Sequence, residues 1–320
     1  MKYGVFVCLF CIIFFTSCNN DDNGPDIESV PPRLLTEVAP ENDEEIQEFL
    51  KTHFYNYEEF ETPSTDFDFR ISIDTIAGVN ADKRSLWEDI EIDTIKVSSS
   101  QLGLEDEEED IEHKYYYLIA RNGGGGNPTV ADSTLLKYEG SLLDGTLFDG
   151  STSFLWQELP FFLRGFSNGV SKISSGTTEQ ITQNADGTIS ISNSGIGLVV
   201  MPSGLAYYNS IVGNIPQYAP LLFKLEVGLF IENTDNDNDG IPSILEDLDG
   251  DGNLFNDNTD IQDEIDARLQ TAFPNFRDAD DDGDGTLTRD EISDSNGNII
   301  IPYPDANNDG TPDYLDPDVN

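Results

Sequence analysis

The last third of this sequence cannot build an ordinary apolar core. From Ile231 onward Asp, Asn and Gly dominate and apolar residues become sparse. Four loops there share one spacing. "DNDNDGIPSILE" puts acceptors at Asp235, Asp237, Asp239, Ser243 and Glu246, with Gly240 in sixth place. "DDDGDGTLTRDE" repeats this with Asp280, Asp282, Asp284, Thr288 and Glu291 around Gly285. "DANNDGTPDYLD" repeats it with Asp305, Asn307, Asp309, Asp313 and Asp316 around Gly310. "DLDGDGNLFNDN" starts the same way at Asp247, Asp249 and Asp251 and ends in Asn258. Side chains at places 1, 3 and 5 converge only if the chain turns sharply, and the glycine permits that turn. The backbone carbonyls of place 7, at Ile241, Asn253, Thr286 and Thr311, are the expected further ligands. A carboxylate at place 12 closes the shell from the far side. Oxygen-only donors in this number suit Ca2+ as a structural ion.

Flanking helices are scarce. "DIQDEIDARLQTAF" predicts one from Ile261 to Phe273, but Pro242, Pro302, Pro304, Pro312 and Pro317 crowd the other loops. The pattern resembles EF-hand and thrombospondin type 3-like calcium loops. It implies a metal-organised stalk over 232–320 more than paired EF-hands.

The whole chain carries 62 acidic against 16 basic side chains, a net charge of -46. That balance excludes nucleic acid as a partner, since phosphate binding needs Lys and Arg. The cysteines are Cys8, Cys11 and Cys18. They lie in or at the end of "MKYGVFVCLFCIIFFTSC", where Lys2 precedes an apolar run too short to span a bilayer as a mature helix. Residues 1–18 read as a processed signal. The ending resembles the lipobox of bacterial lipoproteins, with Phe15 in place of the commoner Leu. The resemblance implies lipidation of Cys18, a membrane anchor and a cell-envelope, outer-membrane address. An ordinary secretory peptide cut nearby, or a start helix left uncleaved, is the alternative. After processing, no cysteine remains for a disulfide, a thiol nucleophile or a zinc-thiolate site. Residues 19–33 form a polar tether. Its Asp21-Asp22 pair resembles the acidic export signal of Bacteroidetes surface lipoproteins, or is plain solvated linker.

Residues 34–114 predict an α+β region. "APENDEEIQEFLKTHF" predicts a helix capped by Asn42 or Asp43, with Ile46, Phe49, Leu50 and Phe54 on one face. "DFDFRISIDTI" alternates as a half-buried strand with Phe67, Phe69, Ile71 and Ile73 inward, and "EIDTIKVS" is its candidate partner. "EDEEED", Glu105 to Asp110, reads as a solvated run without a specific role. Next come a strand, a flexible connector through Gly123–Gly126, and a second strand. "ELPFFLRGFSNGVSKI" predicts a short helix with Pro160 near its first turn.

Residues 115–231 carry a second resemblance, to the FKBP-type peptidyl-prolyl isomerase family. Lys137-Tyr138-Glu139-Gly140 stands at the family's strand Tyr-x-Gly. "LLDGTLFDGS" matches its Leu-x-Asp-Gly-x-x-Phe-Asp-x-Ser hairpin, and "FFLRGFSNGV" its helix. "PSGLAYY" and "GNIPQYAPLLFKLEV" match the Ala-Tyr loop, the Ile-Pro segment and the last strand. The implied fold is α+β, an antiparallel sheet wrapped around a short helix. By resemblance the pocket positions are Tyr138, Phe148, Asp149, Phe162, Leu163, Phe166, Tyr207, Ile215 and Phe223, with Phe166 as the floor. The resemblance implies isomerase activity without a cofactor, on proline-containing segments of exported proteins. The chain departs from the family in three places. The floor tryptophan is Phe166, the glycine after the loop tyrosine is Tyr208, and Thr177–Gly195 is inserted after the helix. A non-catalytic binding module and a calcium-dependent structural or adhesion protein are the alternative readings.

Overall fold

The computed structural model describes residues 31–268 and 272–319. The signal segment, Cys18 and most of the tether therefore lie outside the described residues. In chain order the helices are α1 (Leu35–Thr52), α2 (Tyr57–Glu61), α3 (Leu86–Asp89), α4 (Arg164–Val170), α5 (Ile261–Asp266) and α6 (Thr288–Glu291). The strands are β1 (His53–Tyr55), β2 (Ile73–Thr75), β3 (Glu91–Val97), β4 (Ile111–Arg121), β5 (Ser133–Leu142), β6 (Leu147–Glu158), β7 (Ile181–Gln183), β8 (Ile189–Ile191), β9 (Gly195–Met201) and β10 (Leu221–Ile231). Six of them form one antiparallel sheet in the order β3-β4-β9-β10-β5-β6. The α+β class and the sheet curved onto a short helix agree with the sequence.

Strand β9 explains the layering. "GIGLVVM" is buried at every position, as a strand covered on both faces must be. Val199 and Met201 pack with Phe166, Val170 and Ile173 of α4 and its C-terminal turn, while Leu198 and Val200 pack with Ile46, Leu50 and Leu86 of α1 and α3. Strand β4 divides in the same way, Tyr115 to the first core and Tyr116 and Leu118 to the second. Residues 34–90 thus cover the sheet face that α4 leaves open. Strand β4 also crosses the boundary drawn between 114 and 115, and β3 pairs with it. The true partner of "EIDTIKVS" is therefore "IEHKYYY", not the segment before it.

Three other local expectations change. Helix α1 starts at Leu35, and Asn42 lies inside it, buried. Its first amides, Leu35 and Thr36, donate to the Glu108 carboxylate. An acid from the "EDEEED" run thus caps the positive end of α1 from outside the helix. The strand expected over 67–75 is paired only at Ile73–Thr75, against β1, and Phe69 turns to φ 56°. Gly123–Gly125 are no loose connector. A Cβ on Gly123 would stand 2.1 Å from the Ser175 carbonyl, and Gly125 N–H donates to that same oxygen at 2.7 Å. Glycine is required there because two backbones touch.

Asn42 ties α1 to the far end of the sheet. Its Oδ1 accepts from Ser203 N at 2.8 Å and Ser203 Oγ at 2.7 Å, and its Nδ2 donates to Tyr218 O at 3.0 Å. Asn42→Ala is expected to lower stability by about 2–3 kcal/mol, since buried partners lose their bonds. Urea unfolding followed by tyrosine fluorescence measures it.

The tail is not a free stalk. Arg33–Asn320 forms one compact unit. Leu254 and Phe276 of the tail share a small core with Ala131, and Phe161 lies 5.8 Å from both Phe255 and Phe276, ring centre to ring centre. The predicted helix 261–273 is limited to α5, Ile261–Asp266. Among the described residues no helix is long and apolar enough to cross a membrane.

Candidate functional site

The aromatic cleft is assembled from five separate pieces of chain. Tyr138 comes from β5, Phe148 and Asp149 from β6, Phe223 from β10, and Tyr207 from the loop after β9. Phe161 and Phe162 end the turn before α4, Leu163 is the cap residue before it, and Phe166 lies in its first turn. Together these nine residues line a cavity of about 350 Å³. The size is that of a small ligand site.

Phe166 is the floor, 2% exposed. Its ring lies 5.0 Å from Phe223 at 75°, 5.9 Å from Tyr138 at 78°, and 5.4 Å from Phe162. Phe148 meets Phe223 edge-on at 5.5 Å. These edge-to-face pairs hold the walls in fixed orientations. Gly140 makes room for them. A Cβ there would stand 2.6 Å from the Phe148 ring and 2.9 Å from Phe223. The glycine of "KYEG" is thus a packing requirement on β5.

Two phenols and one carboxylate edge the cleft. The Tyr138 hydroxyl donates to Asp149 Oδ2 at 2.8 Å. Burial, with that bond to Asp149, pushes the Tyr138 hydroxyl up to about 12. Burial and the Asp149 charge also push Tyr207 up. Both phenols therefore stay protonated at neutral pH and act as donors.

Eight of the nine pocket positions expected from sequence converge here, and Ile215 does not line the cleft. It is buried in the main core and bridges to Val212. The lining residue missed from sequence is Phe161. Tyr208 sits at φ 45°, a left-handed conformation that accounts for glycine being usual at this place. Its ring is buried against Tyr218 at 5.1 Å and its hydroxyl donates to Arg33 O. The substitution fastens the Tyr207 loop to the N-terminal segment. The inserted stretch carries the hairpin β7–β8 and contributes nothing to the cleft lining.

The four acidic loops repeat one geometry. The sixth-place glycines all take positive φ: Gly240 108°, Gly252 76°, Gly285 94° and Gly310 100°. Each donates its N–H to the place-1 carboxylate, at 3.1, 3.0, 3.1 and 3.1 Å. The place-5 carboxylates accept from the place-7 amides at Ile241, Asn253, Thr286 and Thr311. In three loops these bonds leave carboxylate oxygens turned inward. Asp235, Asp237 and Asp239 converge, as do Asp247, Asp249 and Asp251, and Asp280, Asp282 and Asp284. Asp237, Asp239, Asp247, Asp280, Asp282 and Asp284 each have a buried oxygen with no partner, and Glu246 and Glu291 have both. Such a donor set fits a hard divalent cation.

Burial and neighbouring carboxylates push Glu246 up to about 10, Asp281 to about 9, and Asp237 and Glu291 to about 8. Like charges crowded out of water explain the direction.

Three expectations are corrected in the tail. Ser243, Thr288 and Asp313, expected as ligands at place 9, accept instead from the place-2 amides of Asn236, Asp281 and Ala306. They staple the loops. The second loop, read as incomplete because it ends in Asn258, carries a buried acid one place earlier, at Asp257. Asp257 Oδ2 is unpartnered, and burial beside Asp249 and Asp247 pushes this acid up to about 6. In the fourth loop Asn307 Nδ2 donates to Asp309 and Asp316, and among the described residues no three acids converge there with Asp305. The second loop also reaches α4. Asp251 pairs with Arg164, the first residue of α4, at 3.0 Å.

Comparison with known proteins adds the following. The BamM C-terminal family matches residues 236–304, rather than an EF-hand family. No curated protein matches the chain. Among solved structures, a peptidyl-prolyl cis-trans isomerase from Pseudomonas syringae pv. tomato is similar at 23% identity and TM-score 0.30, over 37% of this chain and 76% of that one. FkpA from Escherichia coli is similar at 19% identity and TM-score 0.34, over 62% of each chain. The N-terminal domain of FKBP42 from Arabidopsis thaliana is similar at 21% identity and TM-score 0.30, over 37% of this chain and 87% of that one.

Proposed function

We propose that this chain is a peptidyl-prolyl cis-trans isomerase for proline-containing segments of exported proteins. The observation that carries the reading is the convergence of Tyr138, Phe148, Phe162, Phe166, Tyr207 and Phe223 around one cleft. Rotation about a prolyl bond is slow because it breaks amide resonance, with a barrier of about 18–20 kcal/mol. The planar amide is more charge-separated than the twisted one. A cleft walled by aromatic rings disfavours the planar form relative to the transition state. The proline ring sits on Phe166, and the Tyr207 hydroxyl donates to a substrate carbonyl while the bond turns. No nucleophile or cofactor takes part.

We further infer a cell-envelope lipoprotein, held at the outer membrane by acyl chains on Cys18. Its acidic tail takes Ca2+ as a structural ion through the inward carboxylates of the first three loops. The bound ion would neutralise those clusters.

The test is a proline-isomerisation assay on a short peptide. Tyr207→Phe is expected to lower kcat/KM about tenfold, the loss of one positioned hydrogen bond of about 1.4 kcal/mol. Phe148→Ala is expected to lower it further by admitting water to the cleft. Wild-type protein without activity, yet binding a proline peptide, would replace catalysis with a holding function for the same cleft.

A further inference from the structure

Asp281 belongs by sequence to the third acidic loop, where it occupies place 2. The same place holds Asn236, Leu248 and Ala306 in the other loops, so an acid there is peculiar to this one. Its backbone amide is fixed inside its own loop, donating to Thr288 Oγ1 at 3.1 Å. Its side chain leaves that loop. The carboxylate lies with those of Asp239 and Glu246 from the first loop, with ligand atoms of all three within 4.8 Å of one another.

All three residues are almost wholly buried, at 1% exposure for Asp281, 2% for Asp239 and 1% for Glu246. Both oxygens of Asp281, both of Glu246 and Oδ2 of Asp239 lack any hydrogen-bond partner among the described residues. Buried carboxylates without partners are costly, and three facing one another are more so. Resting on the reading of these loops as calcium sites, we propose that the first and third loops share one divalent cation, with Asp281 completing the shell begun by Asp239 and Glu246.

The donors are carboxylate oxygens alone, which selects a hard cation. One free oxygen from each acid converges, and Asp281 and Glu246 each hold a second free oxygen, a set that suits Ca2+ better than Mg2+, which keeps several waters. The cluster is distinct from the triad of Asp280, Asp282 and Asp284 in the third loop itself. The shared ion would cross-link Asp239 to Asp281 and so close the intervening segment, which holds the second loop and Phe276, into a ring. The second loop and Phe276 touch Arg164, Ala131 and Phe161.

The experiment is calcium titration of the chelated full chain by calorimetry, with native mass spectrometry to count bound ions. Asp281→Asn keeps the shape and removes the charge, and Asp281→Ala removes the ligand. Each should lose one bound ion or weaken one class of site at least tenfold. Trypsin cutting at Arg277, slow in the calcium-loaded wild type, should become fast in both variants. Asp290→Asn, an exposed acid outside every cluster, serves as the control and should titrate as wild type. If the wild type binds calcium and both Asp281 variants bind it identically, the shared site is overturned while the loop reading stands. If the wild type binds no calcium, the loop reading itself falls, and this inference with it.

Discussion

Removing calcium is expected to open residues 235–318 to proteases within minutes while the six-stranded sheet stays folded. The expectation follows from how little apolar surface the tail has. Its cores are small: Leu254 and Phe276 with Ala131, and Ile241, Ile292 and Tyr314 with one another. Against them stand the three carboxylate triads and the cross-loop cluster. The acidity of these groups sets the sign of a pH effect. Glu246, Asp281 and Asp237 hold their protons up to about 10, 9 and 8 in the folded, metal-free chain. Unfolded, they titrate near about 4. The folded state thus binds more protons than the unfolded one between those values, and stability falls as pH rises. The metal-free tail keeps its full stability below about pH 4 and loses it through about pH 8–10. Calcium reverses the slope, because its ligands must be deprotonated. Limited proteolysis with mass mapping at pH 5 and pH 8, with calcium and with chelator, checks all four arms. Equal cutting of the tail in the four conditions would remove the metal from the account.

The second large effect is expected from Phe166→Ala. This side chain is both core and cleft floor, packed against Phe162, Tyr138 and Phe223. Truncating a buried phenylalanine costs about 3–5 kcal/mol. A domain of ordinary stability, about 5–15 kcal/mol, survives that loss. Isomerase activity is expected to fall by more than a hundredfold, since the surface beneath the proline ring is gone and its neighbours lose their orientation. Val170→Ala separates the two roles. Val170 is fully buried on the same helix but does not line the cleft. It should destabilise by about 2 kcal/mol and leave kcat/KM within about twofold of wild type. Equal loss of activity in both variants would mean that stability, not the floor, was being measured.

The cleft positions were expected from the family resemblance carried by "KYEG", "LLDGTLFDGS", "FFLRGFSNGV" and "PSGLAYY", motifs short enough to be read along the chain. Ile215 was misplaced because a loop residue of apolar type turns inward or toward a pocket without any local sign. Phe161 was missed because its contacts, Phe255 and Phe276, lie about a hundred residues away in a segment read as separate. Glu108 was dismissed as one acid among six for the same reason, since only the position of α1 makes it a cap.

Local order in this protein was written in the sequence: the strand segments that became β4, β5, β9 and β10, the turn glycines, and the fourfold spacing of the acidic loops. Each is a statement about residues a few positions apart, where backbone sterics and side-chain period dictate the outcome. The tertiary structure alone decided that residues 34–90 cover the second face of the sheet and that Asn42 braces the loop carrying Tyr207. It alone set the acidic tail against α4 and turned Asp281 out of its own loop toward Glu246. Those arrangements depend on which surfaces meet after the chain has collapsed, and burial of charge or apolar area between distant segments leaves no periodic mark in either one.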